Sequence, residues 1–323
     1  MAKAIRIYQH GGPEVLRWED VEVGAPGEQE ALVRHTAIGI NFADIYLRSG
    51  LYPQPLPSGM GSEAAAVIEA VGRKVRGFKP GDQVAYSYPV AGAYSQQRVL
   101  PASALLKIPS GVSPEQVAAS LLKGMTAWFL LRVLRRVKRG DVLLVPAAAG
   151  GVGLILCQWA RALGARVIGV VGSEQKVGLA KRSGCHHVLV GYDDMAARVR
   201  KLNRGTGVDI VYDGVGRQTQ QASLDSLKPR GLLASFGNAS GPAEPLAPAE
   251  LVRRGSLFFT RCRMADFVAS AQERHTASRE LFALLRRKAV RVHIGQRYAL
   301  ADAAQAQRDL ESRRTLGSTV LLP

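Results

Sequence analysis

Five small residues in a row, Ala147 to Gly151, separate the apolar run Val142–Val145 from a second apolar run that starts at Val152. Residues without bulk at such a place let the backbone come close to a ligand, and the chemistry this suits is the binding of phosphate. The second run spaces Val152, Ile155, Leu156, Trp159, Ala160 and Leu163 on one face of a helix, and Gly164 can cap its end. The stretch therefore reads as strand, tight turn, helix and, at 166–171, a further strand. In that geometry the free N–H groups and positive end of the helix meet a pyrophosphate. The pattern is Ala-Ala-Gly-Gly-Val-Gly over 148–153, so Ala148 stands where the first glycine of the usual dinucleotide fingerprint would be.

The second strand bears on which dinucleotide. A site for NAD carries an acidic residue at the end of that strand to hold the ribose hydroxyls. Here the strand ends in Gly172 and Ser173. Glu174 fits better as a favourable acid in the first turn of a helix capped by Ser173. One turn further, Lys176 can reach a 2′-phosphate as a point charge, and Tyr192, after the third strand, can lie against the adenosine. These residues favour NADPH.

The elements that must hold such a site follow from the patterning. Residues 1 to about 110 read as β-rich: the runs "AKAIRIY", "EALVRHTAIGI", "AAAVIEAVG" and "DQVAYSY" are separated by "GGPE", "APGE" and "KPGD" turns. At "SPEQVAASLL" Ser113, Pro114 and Gln116 form a helix start with a capping box, and "MTAWFLLRVLRR" continues as helix. From Asp141 short buried strands alternate with helices, the pattern of a doubly wound parallel sheet. The last 60 or so residues add helices and a terminal strand, "STVLLP", expected to return and complete the N-terminal β part.

Composition narrows the function classes. Cys157, Cys185 and Cys262 are odd in number and far apart, so neither a disulfide framework nor a metal knuckle is expected, and a cytoplasmic protein with reduced thiols is. The apolar run 142–157 is broken by Pro146 and three glycines and does not suit a membrane span, and the N-terminus lacks an export signal. The net charge of +17 admits a nucleic-acid partner. It is spread in short clusters such as 132–139 and 253–263, the pattern of solvated surface arginines. His186 and His187 are adjacent on a strand and point to opposite faces, which argues against a shared metal.

"GDVLLVPAAAGGVGLILCQWAR" (140–161) resembles the signature of the quinone oxidoreductase and zeta-crystallin branch of the medium-chain dehydrogenase/reductase superfamily, through Asp141, Gly150, Gly151, Gly153, Gln158 and Arg161. The resemblance extends through "HGGPEVL" (10–16), "AIGINFADIYLRSGLYP" (37–53), "LPSGMGSEAAAVIEAVG" (56–72), "LLKGMTAW" (121–128), "VYDGVG" (211–216), "SFGNASG" (235–241) and "LESRRTLGSTVLLP" (310–323). It implies an α/β chain. A GroES-like β-rich catalytic domain at 1–124 is completed by 261–323, a Rossmann domain of doubly wound parallel sheet lies at 125–260, and the cofactor lies between them. It also implies a homodimer through a Rossmann edge strand, for which "SLFFT" (256–260) is the expected segment, although an inner strand would read the same.

Zinc-dependent members of the superfamily carry Cys and His where this chain has Asn41 and Ser62, so no catalytic zinc is expected. The resemblance places Asn41 and Thr126 at the nicotinamide and its ribose, and Phe236, Gly237 and Asn238 on its far side. Gly150, Gly151 and Val152 belong to the pyrophosphate turn. Gly172, Ser173, Lys176, Tyr192 and Arg313 frame the 2′-phosphate end. Tyr46 and Tyr52 are expected to line a quinone pocket, by ring packing and a phenolic hydrogen bond, or simply to pack their loop. The expected reaction is hydride transfer from NADPH to a quinone without metal and without an assigned proton donor. The alternatives are reduction of an enone or alkenal double bond on the same frame, or an additional nucleic-acid-binding or crystallin-like role.

Overall fold

The computed structural model describes residues 1–87 and 91–323, so Tyr88, the last residue of the "DQVAYSY" run, lies outside them. The chain divides into two compact units. One comprises Met1–Met125, Val268–Arg286 and Val292–Pro323, and the other Thr126–Phe267 and Arg287–Arg291.

In chain order the first unit runs β1 (Ala2–Ile7), β2 (Arg17–Val21), β3 (Glu30–Gly39), α1 (Phe42–Arg48), β4 (Ser58–Gly59), β5 (Glu63–Val71), β6 (Gln83–Ser87), β7 (Gln97–Pro101), β8 (Leu106–Lys107) and α2 (Pro114–Ala118). After α3 (Leu121–Trp128) come β9 (Val142–Val145), α4 (Gly151–Ala162), β10 (Arg166–Val171), α5 (Val177–Arg182), β11 (His187–Val190), α6 (Met195–Leu202), β12 (Val208–Asp213), α7 (Gln220–Asp225), β13 (Leu227–Ser235), α8 (Pro248–Arg253), β14 (Phe258–Arg261) and α9 (Met264–Phe267). The chain closes with α10 (Ala271–Arg286), β15 (Ile294–Ala299), α11 (Ala303–Glu311) and β16 (Ser318–Leu322).

The first unit carries a seven-stranded sheet ordered β15-β16-β3-β5-β6-β8, with β7 paired to β3, and a smaller sheet ordered β2-β1-β4. The terminal strand β16 runs antiparallel to β3, setting Leu321 opposite Ile38. The unit's core gathers Ile7, Val33, Ile38 and Ile68 from the strands, Met60 and Tyr94 from the segments between them, and Ala303 and Ala306 from α11. Inside it His35 is buried; its Nδ1 lies 2.6 Å from the Ser95 carbonyl and its Nε2 2.8 Å from the Tyr86 hydroxyl. Because a carbonyl only accepts, Nδ1 carries the proton and Tyr86 donates to Nε2.

The second unit is built on one parallel sheet ordered β11-β10-β9-β12-β13-β14. That is the 3-2-1-4-5-6 order of dinucleotide-binding folds, with its reversal between β9 and β12. The strands are apolar almost throughout because both faces are covered, and every residue of β12 is buried. On α4 the residues Ile155, Leu156, Trp159 and Ala160 of the predicted face are at most 3% exposed, while Val152 and Leu163 at its ends are half-buried and Leu154 and Cys157 beside it are buried as well. Gln158 holds the short segment after α10: its Nε2 donates to the Arg291 carbonyl and its Oε1 accepts the Arg291 N–H.

The capping box at Ser113 forms as predicted, with reciprocal bonds to Gln116. The "MTAWFLLRVLRR" helix differs: the α-helix begins already at Leu121, and Phe129–Leu134 continue as a wider π turn. Phe129, Leu130 and Leu131 are all buried, and three consecutive residues do not share one face of a regular α-helix. Phe129 stacks on Phe267 there, with ring centroids 4.4 Å apart.

Candidate active site

In the second unit the expected cofactor residues other than Thr126 lie on the turns and helix starts that follow the carboxyl ends of parallel strands, where this fold class binds ligands. Gly150 to Val152 follow β9, Gly172 to Lys176 follow β10, Tyr192 follows β11, and Phe236 to Asn238 follow β13. Gly150 is the N-cap of α4 and has no side chain to close the helix start, whose first bond runs from Leu154 N–H to the Gly150 carbonyl. A Cβ on Gly153 would stand 2.4 Å from the Ala147 carbonyl oxygen and 2.8 Å from that of Ala148, so helix and turn approach as closely as glycine allows. A Cβ on Gly172 would meet nothing within 4 Å, so the open ground lies beside the end of β10. Tight turn, uncapped helix start and open loop fit a dinucleotide with its pyrophosphate at α4.

Ser173 occupies the N-cap position but makes no side-chain capping bond, which corrects the expectation that it caps a helix. Glu174–Lys176 form a 3₁₀ turn and α5 begins only at Val177, so Lys176 sits at the junction rather than within a helix.

The far loop is organised by a residue that the sequence reading did not single out. Asp213, 2% exposed, accepts the N–H groups of Val215 and Gly216 on Oδ1 and the hydroxyls of Thr219 and Ser223 on Oδ2. Four donors satisfy the carboxylate without a cation. The loop it shapes packs against the expected nicotinamide residues, because a Cβ on Gly237 would lie 2.4 Å from the Gly214 carbonyl oxygen. Thr126 is buried at the start of this unit.

In the first unit Asn41, the N-cap of α1, lies at the centre of a buried polar cluster. Its Nδ2 donates to Glu63 Oε1 at 2.9 Å, and Lys123 Nζ donates to the same oxygen at 2.8 Å. The Leu122 N–H donates to Glu63 Oε2 at 2.7 Å. Gly39 leaves the room: a Cβ there would stand 2.4 Å from the Glu63 carboxylate. The Glu63 and Lys123 side chains are 0% and 5% exposed, a desolvated pair whose charges depend on each other.

Asp44 is the second buried carboxylate. It accepts the Asn41 N–H at 2.9 Å, the Ser62 hydroxyl at 2.6 Å and the Tyr94 hydroxyl at 3.0 Å. Burial, helped by the charge of Glu63, pushes its pKa up to about 6 against the pull of those donors. Arg48, 2% exposed, donates to Gln307 and Glu311 of α11 and to the Gly11 carbonyl, so α1 is tied to the returning chain. Tyr46 and Tyr52 come together edge to face with centroids 5.1 Å apart, and Tyr46 is only 7% exposed. Arg313 belongs to this unit, exposed after α11 in a left-handed conformation (φ 58°).

Asn41 and Ser62 are committed to the Glu63 and Asp44 carboxylates, and among the described residues no group of His, Cys, Asp and Glu comes together to hold a metal. An amide and a hydroxyl bound in this way do not fit a catalytic zinc.

Two buried titratable groups of the first unit, His35 and Asp44, oppose each other in acid. Burial, aided by the nearby Arg98 charge, lowers His35 from an ordinary 6.5 to about 4, so its contribution to stability is lost as pH falls through that window. Asp44 is raised from 3.8 to about 6, so its contribution is present at low pH and lost as pH rises through 6. Each amounts to about 3 kcal/mol at most, and the two largely cancel between pH 6 and 4. Denaturant melts of Asp44→Asn should show stability falling from pH 6 to 4 more steeply than in the wild type. Those of His35→Gln should show it rising.

The alcohol dehydrogenase GroES-like domain matches residues 27–110, and the zinc-binding dehydrogenase domain matches 151–285. With the parallel sheet and its glycine turn they define a dehydrogenase/reductase built from a GroES-like and a Rossmann part. The chain is 47% identical over 325 residues to a quinone oxidoreductase of Pseudomonas aeruginosa, covering 100% of both chains. A 2-haloacrylate reductase of Burkholderia is 44% identical, over 100% of this chain and 99% of that one. The structure of Escherichia coli quinone oxidoreductase complexed with NADPH superposes with a TM-score of 0.96 at 44% identity, over 100% of each chain. The chain belongs to the quinone oxidoreductase family.

Proposed function

We propose that this chain is an NADPH-dependent quinone reductase that works without a metal. The observation that carries the reading is the glycine cradle between β9 and α4, where Gly153 meets the turn carbonyls so closely that no side chain fits. Bound there, NADPH supplies a hydride. The residues of the chain bind and orient it: the α4 start takes the pyrophosphate, Gly172, Ser173 and Lys176 the 2′-phosphate end with Tyr192 and Arg313, and Phe236 to Asn238 with Thr126 and Asn41 the nicotinamide. Tyr46 and Tyr52 pack the quinone ring, which is already a good acceptor and needs little electrophilic help.

The test is NADPH and NADH oxidation by the purified protein with ortho- and para-quinones beside an enone and a 2-haloacrylate. Turnover of quinones with NADPH supports the reading. Turnover confined to the activated alkene supports the second reading, double-bond reduction, which the 44% identity to a 2-haloacrylate reductase favours.

The three buried free thiols fit a reducing cytoplasm. No helix among the described residues is long and apolar enough to cross a membrane. The expected dimer strand is the sheet edge: among the described residues β14 pairs only with β13, and Phe258 on it is 61% exposed. Pairing of two such edges would bury it in a homodimer. Phe258→Asp should then convert a dimer to monomer in light scattering, with its melting temperature read alongside.

A further inference from the structure

Reduction of a quinone by hydride leaves an anion that must take one proton, and the sequence points to no donor. The buried cluster of the first unit contains a carboxyl group and a hydroxyl in direct contact, next to Asn41. Ser62 Oγ lies 2.6 Å from Asp44 Oδ1, while the Asn41 N–H donates to Oδ2 of the same carboxyl. Asp44 is fully buried, and Ser62 is 5% exposed. Of the two groups, only Ser62 keeps any exposure to solvent.

We propose that Asp44 and Ser62 form a proton relay that completes reduction of the substrate. The inference rests on the reading that Asn41 borders the nicotinamide, because that sets Ser62 beside the reacting oxygen. With Asp44 ionised, the Ser62 hydroxyl donates to it and offers no proton outward. With Asp44 protonated, the carboxyl donates to Ser62 Oγ, and the Ser62 proton turns to the substrate. The Ser62 O–H bond then breaks as the hydroquinone O–H bond forms, and the Asp44 proton moves to Ser62 Oγ. After product leaves, Asp44 regains a proton from solvent through the same hydroxyl. Charge and protons balance: one hydride and one proton convert quinone to hydroquinone.

The surroundings place Asp44 in a useful range. Burial pushes it up to about 6, and Glu63 adds to this. Lys123 offsets the Glu63 charge through their shared bond, and Tyr94 donates to Asp44 while accepting from Gln307 of α11. Arg48 on the same helix turns to Gln307 and Glu311 instead.

Single-turnover quinone reduction by the NADPH-loaded protein, followed against pH in H2O and D2O, tests the relay. The wild-type rate should rise as pH falls through about 6 and should be slowed in D2O. Asp44→Asn and Ser62→Ala should each lower the rate about 100-fold and abolish the acid limb, with the Kd for NADPH unchanged. Tyr94→Phe removes a donor that favours ionised Asp44, so the limb should survive and move to higher pH. A second readout is independent of turnover and of folding losses in any one variant. In the cofactor-free wild type an infrared carboxylic-acid band should grow in below about pH 6, and Asp44→Asn should lack it. An Asp44→Asn or Ser62→Ala protein with the wild-type pH profile and isotope effect overturns the relay, as does absence of that band. Failure of the wild type to reduce any quinone would instead overturn the functional reading itself.

Discussion

Replacing Lys176 with glutamate is expected to raise the Kd for NADPH about 100-fold while leaving that for NADH within about threefold. The two cofactors differ only by the 2′-phosphate, so the ratio isolates contacts to that group. β10 ends in Val171, and Gly172 and Ser173 after it bring no carboxylate to hold ribose hydroxyls. Lys176 closes the 3₁₀ turn that follows, with the open ground beside Gly172 next to it. A charge-assisted contact to phosphate contributes about 1.5–3 kcal/mol, and charge reversal adds repulsion to its loss. Isothermal titration with both cofactors makes the measurement. Equal weakening of the two would mean that Lys176 does not touch the 2′-phosphate.

The largest effect on stability is expected at Glu63. Glu63→Ala leaves the buried Lys123 ammonium without its counter-charge and the Leu122 N–H and Asn41 amide without their acceptor. Breaking one side of a buried pair costs about 3–5 kcal/mol. Removing both charges, in Glu63→Leu with Lys123→Met, should recover much of that loss, because an apolar pair of similar size needs no desolvation of ions. Activity should not return with it, since Asn41 still lacks its anchor. Denaturant melts and kcat on the two variants separate these contributions. A double variant that is no more stable than Glu63→Ala would show that the pair is not the source of the loss.

Residues 140–171 were legible because everything that shapes them is near in sequence. The apolar face of α4 repeats at helical spacing, β9 and residues 167–171 of β10 are short runs without a polar side chain, and Gly153 lies so close to the turn between β9 and α4 that a side chain there would clash. The same holds for the Ser113 capping box, which closes within four residues. Where expectation and structure part, the cause lies in packing. Ser173 has the residue type of a cap, yet the chain enters a 3₁₀ turn and its hydroxyl makes no capping bond. The helix after Ser120 widens because consecutive apolar residues are buried on more than one face.

The cluster around Asn41 was legible only in part. Asn41 and Ser62 drew attention as positions lacking zinc ligands, while Asp44, Glu63, Tyr94 and Lys123 did not. Each of these reads alone as an ordinary helical acid, strand residue or surface cation. A possible signal was Gly39, two residues before Asn41, whose missing side chain leaves room for the Glu63 carboxylate.

By itself, then, the sequence determined the alternation of strand and helix, the glycine turn and the lack of an acid at the end of β10, since each depends on a few neighbouring residues. Tertiary structure alone decided which polar groups share one buried space. Asp44 meets Ser62 across 18 residues and Tyr94 across 50, and Arg48 meets Gln307 across 259. Such contacts form only when β3, β5 and α11 pack together, and their consequences for charge depend on the water that this packing removes.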